Sequence, residues 1–170
     1  DLIIVATMTP DRLCPSSAAI IQNAIGATQA AAMDLQAACT GFLYALSTAK
    51  AFVESSTYKT VLVIASEKMS PFVDYTDRST CVLFGDGAAA AVVSGAGAGF
   101  AIGEISLGAD GSLGELLTIP GGGSAKPATN ETLASREHYI KMEGREVFKH
   151  AVRRMASSVK ECLQRAQLTE

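Results

Sequence analysis

Residues 33–53, MDLQAACTGFLYALSTAKAFV, contain a change of hydrophobic period that indicates how this chain folds. Residues 33–37 alternate apolar and polar side chains, which predicts a strand that ends at Ala38 or Cys39. From Thr40 onward, apolar residues recur at helical spacing and form one broad stripe, which predicts a helix that packs on a sheet. The members of this stripe are Phe42, Leu43, Ala45, Leu46, Ala49, Phe52 and Val53.

On both sides of this stretch, the hydrophobic pattern predicts further strands and helices in alternation. Residues 60–65 form a continuous apolar run rich in β-branched side chains, which is typical of a central strand covered on both faces. Residues 120–137 include three consecutive glycines and are expected to form an irregular surface flap. The other predicted elements are a strand at residues 2–6, a helix opened by Pro15, Ser16 and Ser17 and closed by Gly26, a strand at residues 88–93, and a final helix with an apolar face from Val147 to Ala166.

The composition indicates a folded α/β protein and excludes several classes of function. Of the 170 residues, 48% are hydrophobic and 18% are charged, so the chain can bury a core and is not disordered. Alanine and glycine are abundant, and aromatic residues make up only 6%, which favours close-packed helix and sheet layers over a barrel. The 17 acidic and 14 basic side chains form no long run of one sign, so we expect no nucleic-acid partner.

The distribution of apolar residues also bears on location. No window reaches the roughly 18 uninterrupted apolar residues that a membrane-spanning helix needs, so we expect no membrane segment. We therefore expect a cytoplasmic protein, with the stroma of a plastid as the alternative compartment.

The sequence starts at Asp1, without an initiating methionine, and runs directly into a strand-like segment. This start predicts an internal segment of a longer chain.

The four cysteines lie far apart and form no CxxC pair, so neither a zinc site nor a disulfide framework is expected. Cys39 stands out because it is placed where a strand is predicted to pass into a helix, between small neighbours. The N-terminus of a helix stabilises a thiolate, and its backbone N–H groups can face a developing oxyanion. Cys39 is therefore a candidate nucleophile. The alternative is that Cys39 is a small buried hydrophobe, as free cysteines often are.

Several short motifs occur in a fixed order from one end of the chain to the other. They are QAACTGF at residues 36–42, TDR at 76–78, FGDGA at 84–88, ADGS at 109–112, GELL at 114–117 and GREVFK at 144–149. In this order the motifs resemble those of the β-ketoacyl-(acyl carrier protein) synthase III family. Because the resemblance rests on several motifs together, it is far more specific than any one of them.

The resemblance implies a thiolase-like fold, a layered αβαβα architecture built from two related halves. Residues 1–98 would be the later part of the first half and residues 99–170 the beginning of the second, with the boundary near residues 95–99. Members of this family are homodimers that start type II fatty-acid synthesis without a cofactor. Cys39 would accept an acyl group, most simply acetyl, from acyl-CoA. Malonyl-(acyl carrier protein) would then lose CO2 and condense with it, giving 3-oxoacyl-(acyl carrier protein).

The resemblance also implies roles for seven further residues. Arg78 would pack on the adenine of CoA, and Lys149 would belong to a basic patch that meets the acidic carrier protein. Cys14 occupies a place where some relatives carry Phe that reaches the acyl pocket of the partner subunit. Met142, Gly144 and Phe148 would line the pantetheine tunnel, and Phe84 would line the primer pocket. For Phe148, the alternative that its helical spacing leaves open is plain core packing.

Two features leave other functions open. The catalytic His and Asn of the family fall beyond Glu170, so this segment by itself is expected to be inactive. Other condensing enzymes of the thiolase superfamily, namely polyketide-type synthases and thiolases, also carry a nucleophile at the start of a helix. A further alternative is a non-catalytic dimerisation module.

Overall fold

A computed structural model describes residues 1–169, which form two compact units. Unit 1 contains residues 1–68 and 86–105, and unit 2 contains residues 69–85 together with the chain from Ser106 onward. These units are defined by packing. The division into family halves at residues 98 and 99 stays a prediction.

Unit 1 is built on a four-stranded sheet with the strand order β2-β1-β3-β4. The strands β1 (Leu2–Ala6), β2 (Ala31–Leu35) and β3 (Thr60–Lys68) are parallel, whereas β4 (Asp86–Ser94) runs antiparallel to β3. The interior position of β3 confirms the central strand expected from its apolar run. Since β1, β2 and β3 point the same way, their carboxyl ends share one edge of the sheet.

Strand β1 is buried along its whole length and carries a helix on each face. On one face, Leu2, Ile4 and Ala6 pack against α2 (Gly41–Glu54) through the fully buried Ala45 and Ala49. The other face turns Ile3 and Val5 toward Ala18 of α1 (Ser17–Ala24). This alternation follows from the two-residue period of a strand, and it makes unit 1 a helix–sheet–helix layer.

The predicted start and end of α1 are confirmed. The Ser16 hydroxyl caps the helix by accepting from the Ala19 N–H at 3.2 Å, and Gly26 follows the last turn with a φ of +70°. The Asp34 carboxylate of β2 also accepts from the N–H groups of Ser17 and Ala18, at 2.8 Å each. A carboxylate at this end also complements the helix dipole.

Unit 2 combines two short strands with the longest helix among residues 1–169. Strand β5 (Leu117–Thr118) pairs antiparallel with β6 (Lys141–Met142), and the 22-residue helix α4 (Gly144–Arg165) follows after one residue. A short helix α3 (Asn130–Ala134) lies between these two strands. Three-residue and six-residue 3₁₀ turns occur at Ser70–Phe72 and Gly111–Leu116.

Two sequence-based expectations are corrected. The strand expected at residues 33–37 lies at Ala31–Leu35, because each residue of β2 pairs with one of the five residues of β1. The stretch 120–137 is not irregular throughout, since α3 forms inside it. This helix is held by a capping box in which the side chains of Thr129 and Thr132 each accept from the other's backbone N–H.

The apolar face of α4 is divided between packed and exposed positions. Val147, Ala151 and Cys162 are half-buried. The exposed positions one helical step further round are Phe148, Val152, Met155 and Val159. Among residues 1–169, no helix combines the length and the apolar character needed to cross a bilayer.

Candidate active site

Cys39 lies in a single 3₁₀ turn, Ala38–Thr40, which joins β2 to α2. The side chain is exposed, so burial as a small hydrophobe does not describe it in this structure. Its turn begins three residues after β2 ends at Leu35, at the sheet edge where the parallel strands finish. Ligands of α/β sheets commonly bind at this edge. The position is therefore one from which a thiol can react with a bound molecule.

The turn that carries Cys39 is tight. Ala38 has a φ of +44°, which is uncommon for a residue with a Cβ atom. The Thr40 N–H and hydroxyl both donate to the Ala37 carbonyl oxygen, at 3.2 and 3.0 Å. Backbone conformations of this kind persist only where the surroundings enforce them, and they are concentrated at functional sites.

Helix α2 presents its N-terminus beside Cys39 without a side-chain cap. The first N–H groups of a helix have no partner within the helix and carry a partial positive charge. A thiolate or an oxyanion at Cys39 therefore lies next to a favourable field. Gly41 makes this position possible, since a Cβ atom there would lie 3.2 Å from the Ala6 Cβ atom.

A hydroxyl and a carboxylate connect the loop after β1 to the last residues of β3 at the same edge. The Glu67 carboxylate accepts from the Met8 N–H at 2.8 Å and from the Thr9 hydroxyl at 2.7 Å. The Thr9 hydroxyl in turn accepts from the Lys68 N–H at 2.8 Å. These bonds hold the loop after β1 against the end of β3.

The other cysteines occupy different settings. Cys14 lies before α1 and is exposed. Cys81 and Cys162 are half-buried, in a turn and in α4 respectively. Within residues 1–169, no cluster of three His, Cys, Asp or Glu side chains could hold a metal ion.

Unit 2 holds the remaining six predicted site residues. Arg78 is exposed on a loop of consecutive turns between residues 74 and 83, and Phe84 is half-buried directly after it. In this loop the Asp74 carboxylate accepts from the Thr76 N–H and hydroxyl at 2.9 and 2.6 Å and pairs with Arg136. The loop is thereby fixed to the segment before β6.

The charges of this loop are stabilised by its hydrogen bonds. The Thr76 hydroxyl is the main cause that lowers the pKa of Asp74, and the Arg136 guanidinium adds to it against the opposing effect of burial. The hydroxyls of Ser79 and Thr80 lower the pKa of Asp77 in the same way. Both carboxyl groups are therefore held in the ionised form.

Met142, Gly144, Phe148 and Lys149 lie together at the junction of β6 and α4. A Cβ atom on Gly144 would lie 3.3 Å from the Met142 ε-methyl group, so the absent side chain leaves room for Met142. Phe148 is 69% exposed, which does not fit core packing in this structure. The Lys149 ammonium lies 2.7 Å from the Glu146 carboxylate, and this contact lowers the pKa of Glu146.

The residues that fix the loop around Arg78 do not stand out in the sequence as site residues. Asp74, Asp77, Thr80 and Arg136 make its hydrogen bonds and its ion pair. A signal was present, since Asp-x-Thr and Asp-x-Ser spacings are typical of turns in which the Asp side chain accepts from the backbone two residues on. The pairing with Arg136 has no local signal.

Comparison with known proteins shows which family this chain resembles. Residues 33–111 match the family model described as 3-Oxoacyl-[acyl-carrier-protein (ACP)] synthase III. The whole chain is 56% identical over 171 aligned residues to the β-ketoacyl-(acyl carrier protein) synthase III of Chlamydia pneumoniae, and it covers 51% of that protein. Over its whole length, this chain is similar to members of the synthase III family. It spans about half the length of the curated synthase III relatives it matches.

Solved structures agree with this similarity. The 3-oxoacyl-(acyl carrier protein) synthase III from Aquifex aeolicus matches with a TM-score of 0.85 and 45% identity, over 99% of this chain and 50% of that one. A priming β-ketosynthase from the R1128 polyketide biosynthetic pathway matches with a TM-score of 0.87 and 37% identity, over 99% of this chain and 49% of that one. The predicted α/β fold of the thiolase-like synthases is confirmed.

The Asp74 carboxylate gives a pH-dependent prediction. Its pKa is lower in the folded protein than in the unfolded chain, so its stabilising effect is present above the ordinary value of about 3.9 and is lost as the pH falls through the folded value. Asp74→Asn should therefore lower the thermal midpoint of the intact protein at pH 7, and the difference from wild type should shrink in acid. Thermal unfolding across this pH range measures it.

The control for this measurement is Asp11→Asn, which changes an exposed carboxyl group in the same way. It should shift the midpoint little, because exposed substitutions away from specific contacts have small effects. A difference for Asp74→Asn that stays constant with pH would contradict the assignment of the carboxylate charge to this loop.

Proposed function

We propose that the intact protein is a condensing enzyme that joins an acyl group from acyl-CoA to malonyl-(acyl carrier protein) and so starts fatty-acid synthesis. The observation that carries this proposal is an exposed Cys39 at the uncapped N-terminus of α2, in a chain similar to the synthase III family. Both substrates are water-soluble, so we propose the cytoplasm as the site of action. The proposed assembly is a homodimer that needs no cofactor.

In the first proposed step, the Cys39 thiolate attacks the carbonyl carbon of the acyl-CoA thioester. A bond forms between the sulfur and the acyl carbon, and CoA leaves as its thiolate. The helix field of α2 stabilises the attacking thiolate, and the Cys39 N–H supplies half of the hydrogen bonding to the oxyanion. Such a covalent intermediate divides one difficult step into two easier ones.

In the second proposed step, malonyl-(acyl carrier protein) loses CO2, and the resulting carbanion attacks the carbonyl carbon of the acyl-Cys39 thioester. A carbon–carbon bond forms, and Cys39 leaves as the thiolate, ready for the next cycle. The products are 3-oxoacyl-(acyl carrier protein) and CO2. The resemblance assigns the activation of this step to a His and an Asn outside this sequence.

Unit 2 supplies the proposed contacts to the substrates. The planar guanidinium of Arg78 is exposed and suits stacking on adenine. Met142, Gly144 and Phe148 would line the pantetheine tunnel, and the exposure of Phe148 fits a residue that meets a ligand. Phe84 would line the primer pocket. Lys149 would attract the acidic carrier protein, although its pairing with Glu146 partly offsets this charge.

A second candidate is a priming condensation in polyketide synthesis. The structural match to the priming β-ketosynthase of the R1128 pathway, with 37% identity, is the observation that favours it. Both candidates use the same acyl-cysteine chemistry. They differ in the acyl group and in the carrier protein, so turnover with carriers of the two classes separates them.

The acyl-cysteine intermediate is directly testable. After incubation of the intact protein with acetyl-CoA alone, mass spectrometry should find one acetyl group on the peptide that contains Cys39. Cys39→Ala should carry none and should lose condensation activity by on the order of 10⁴-fold or more, as expected for removal of a nucleophile.

The matched control is Cys81→Ala, which removes a half-buried thiol and should keep the adduct on Cys39. An unmodified Cys39 peptide in the wild-type protein would reject the proposed enzyme and favour a non-catalytic dimerisation module.

The small side chain of Cys14 gives a prediction about the primer. We propose that Cys14, placed beside the acyl pocket of the partner subunit, leaves room for primers longer than acetyl. Cys14→Phe should then lower the turnover of butyryl-CoA relative to acetyl-CoA by about ten-fold, a typical effect of a changed pocket volume. Steady-state turnover of the intact enzyme with both primers measures the ratio.

Leu13→Phe is the control, because Leu13 is the adjacent residue and is 99% exposed. It should leave the ratio near that of the wild type. Equal ratios for Cys14→Phe and the wild type would refute the proposed role of Cys14.

A further inference from the structure

The Asp77 carboxylate forms hydrogen bonds with the two residues that follow Arg78, the residue that is proposed to bind the adenine. Its Oδ1 atom accepts from the Ser79 N–H and hydroxyl at 2.9 and 2.6 Å, and its Oδ2 atom accepts from the Thr80 hydroxyl at 2.8 Å. The Asp77 carbonyl oxygen also accepts from the Cys81 N–H at 3.0 Å. Arg78 therefore lies inside a turn that is closed by the side chain and the carbonyl group of Asp77.

The base of this turn is buried, while its tip is exposed. Thr80 is fully buried, and the nearby Asp74 is 5% exposed and paired with Arg136. In addition, the Ile140 N–H donates to the Phe72 carbonyl oxygen at 2.8 Å, which ties the loop to the segment that leads into β6. A turn with a fixed base restricts where the backbone of Arg78 can lie.

The guanidinium of Arg78 has no ion-pair partner among residues 1–169, so no acidic side chain there holds it in one place. A long, exposed arginine side chain loses rotamer freedom when it stacks on a ligand, and this loss weakens binding. A backbone that is already fixed reduces the part of this cost that comes from the loop. The carboxylate of Asp77, the residue before Arg78, fixes the backbone of the loop in this way.

A positive charge on β6 also favours the ionised form of this carboxylate. Lys141 contributes to the lowered pKa of Asp77, after the larger effects of the hydrogen bonds from Ser79 and Thr80. Lys141 directly precedes Met142, one of the proposed tunnel residues.

We propose that Asp77 is a positioning residue that fixes the turn on which Arg78 meets the adenine nucleotide of acyl-CoA. This inference rests on the proposed function and names a residue that acts through Arg78. The specific consequence is that Asp77 matters for donors that carry the nucleotide and not for donors that end at pantetheine.

The chain contains its own control for this inference. Asp110, Gly111 and Ser112 form the same Asp-x-Ser turn, in which the Asp110 carboxylate accepts from the Ser112 N–H and hydroxyl at 3.3 and 2.6 Å. This second turn encloses a glycine where the first encloses Arg78. If the loss of a turn hydrogen bond were by itself enough to change the kinetics, Asp77→Asn and Asp110→Asn would both change them.

The test compares acylation of Cys39 in the intact protein by acetyl-CoA and by acetyl-pantetheine, which lacks the nucleotide. Asp77→Asn should raise the KM for acetyl-CoA by about ten-fold, with kcat within about two-fold and acetyl-pantetheine unaffected. Asp110→Asn should leave both donors unaffected. In an Arg78→Ala background, Asp77→Asn should add no further loss, because both changes act on one contact.

Thr80→Val provides a second variant, since it removes the hydroxyl that donates to Asp77 at nearly constant shape and should raise the same KM in the same direction. Equal losses for both donors, additive losses with Arg78→Ala, or no change in the KM for acetyl-CoA would each overturn the role of Asp77. A wild-type protein that neither donor acylates would instead overturn the proposed function, and this inference with it.

Discussion

The contact between α2 and β1 determines where the candidate nucleophile lies. Gly41, Ala45 and Ala49 let the helix axis approach the sheet closely, and a single added Cβ atom at Gly41 would already lie 3.2 Å from Ala6. Because the helix is seated so closely, its N-terminus reaches the edge where the parallel strands end. The tight turn at Ala38 then leaves Cys39 exposed beside the uncapped helix end.

Much of unit 1 could be predicted because its signals are local. The β-branched run of β3, the period change before α2 and the Ser16 and Gly26 signals of α1 each lie within one element. The ends of β2 could not be predicted in this way, since its register is set by pairing with β1. The short helix α3 was missed because its reciprocal cap uses Thr132 in place of the usual Glu or Gln.

The candidate site was predictable only in part, for a similar reason. Cys39 followed from its place between a strand and a helix, and the other site residues followed from a family resemblance. The pairing of Asp74 with Arg136 could not be foreseen, because the two residues are 62 positions apart and meet only in the folded unit. The divided face of α4 likewise depends on which neighbours pack against it, and helical spacing alone does not contain that information.

One measurement tests most directly whether the helix end activates Cys39. Cys14 and Cys39 are both exposed, whereas Cys81 and Cys162 are half-buried, so accessibility alone does not distinguish the first two. Brief treatment of the intact protein with iodoacetamide near neutral pH, followed by peptide mass spectrometry, gives the alkylation rate of each thiol. Cys39 should react about ten-fold faster than Cys14, because a thiolate is the reacting species and the helix N-terminus stabilises it. Equal rates for these two cysteines would contradict this origin of reactivity.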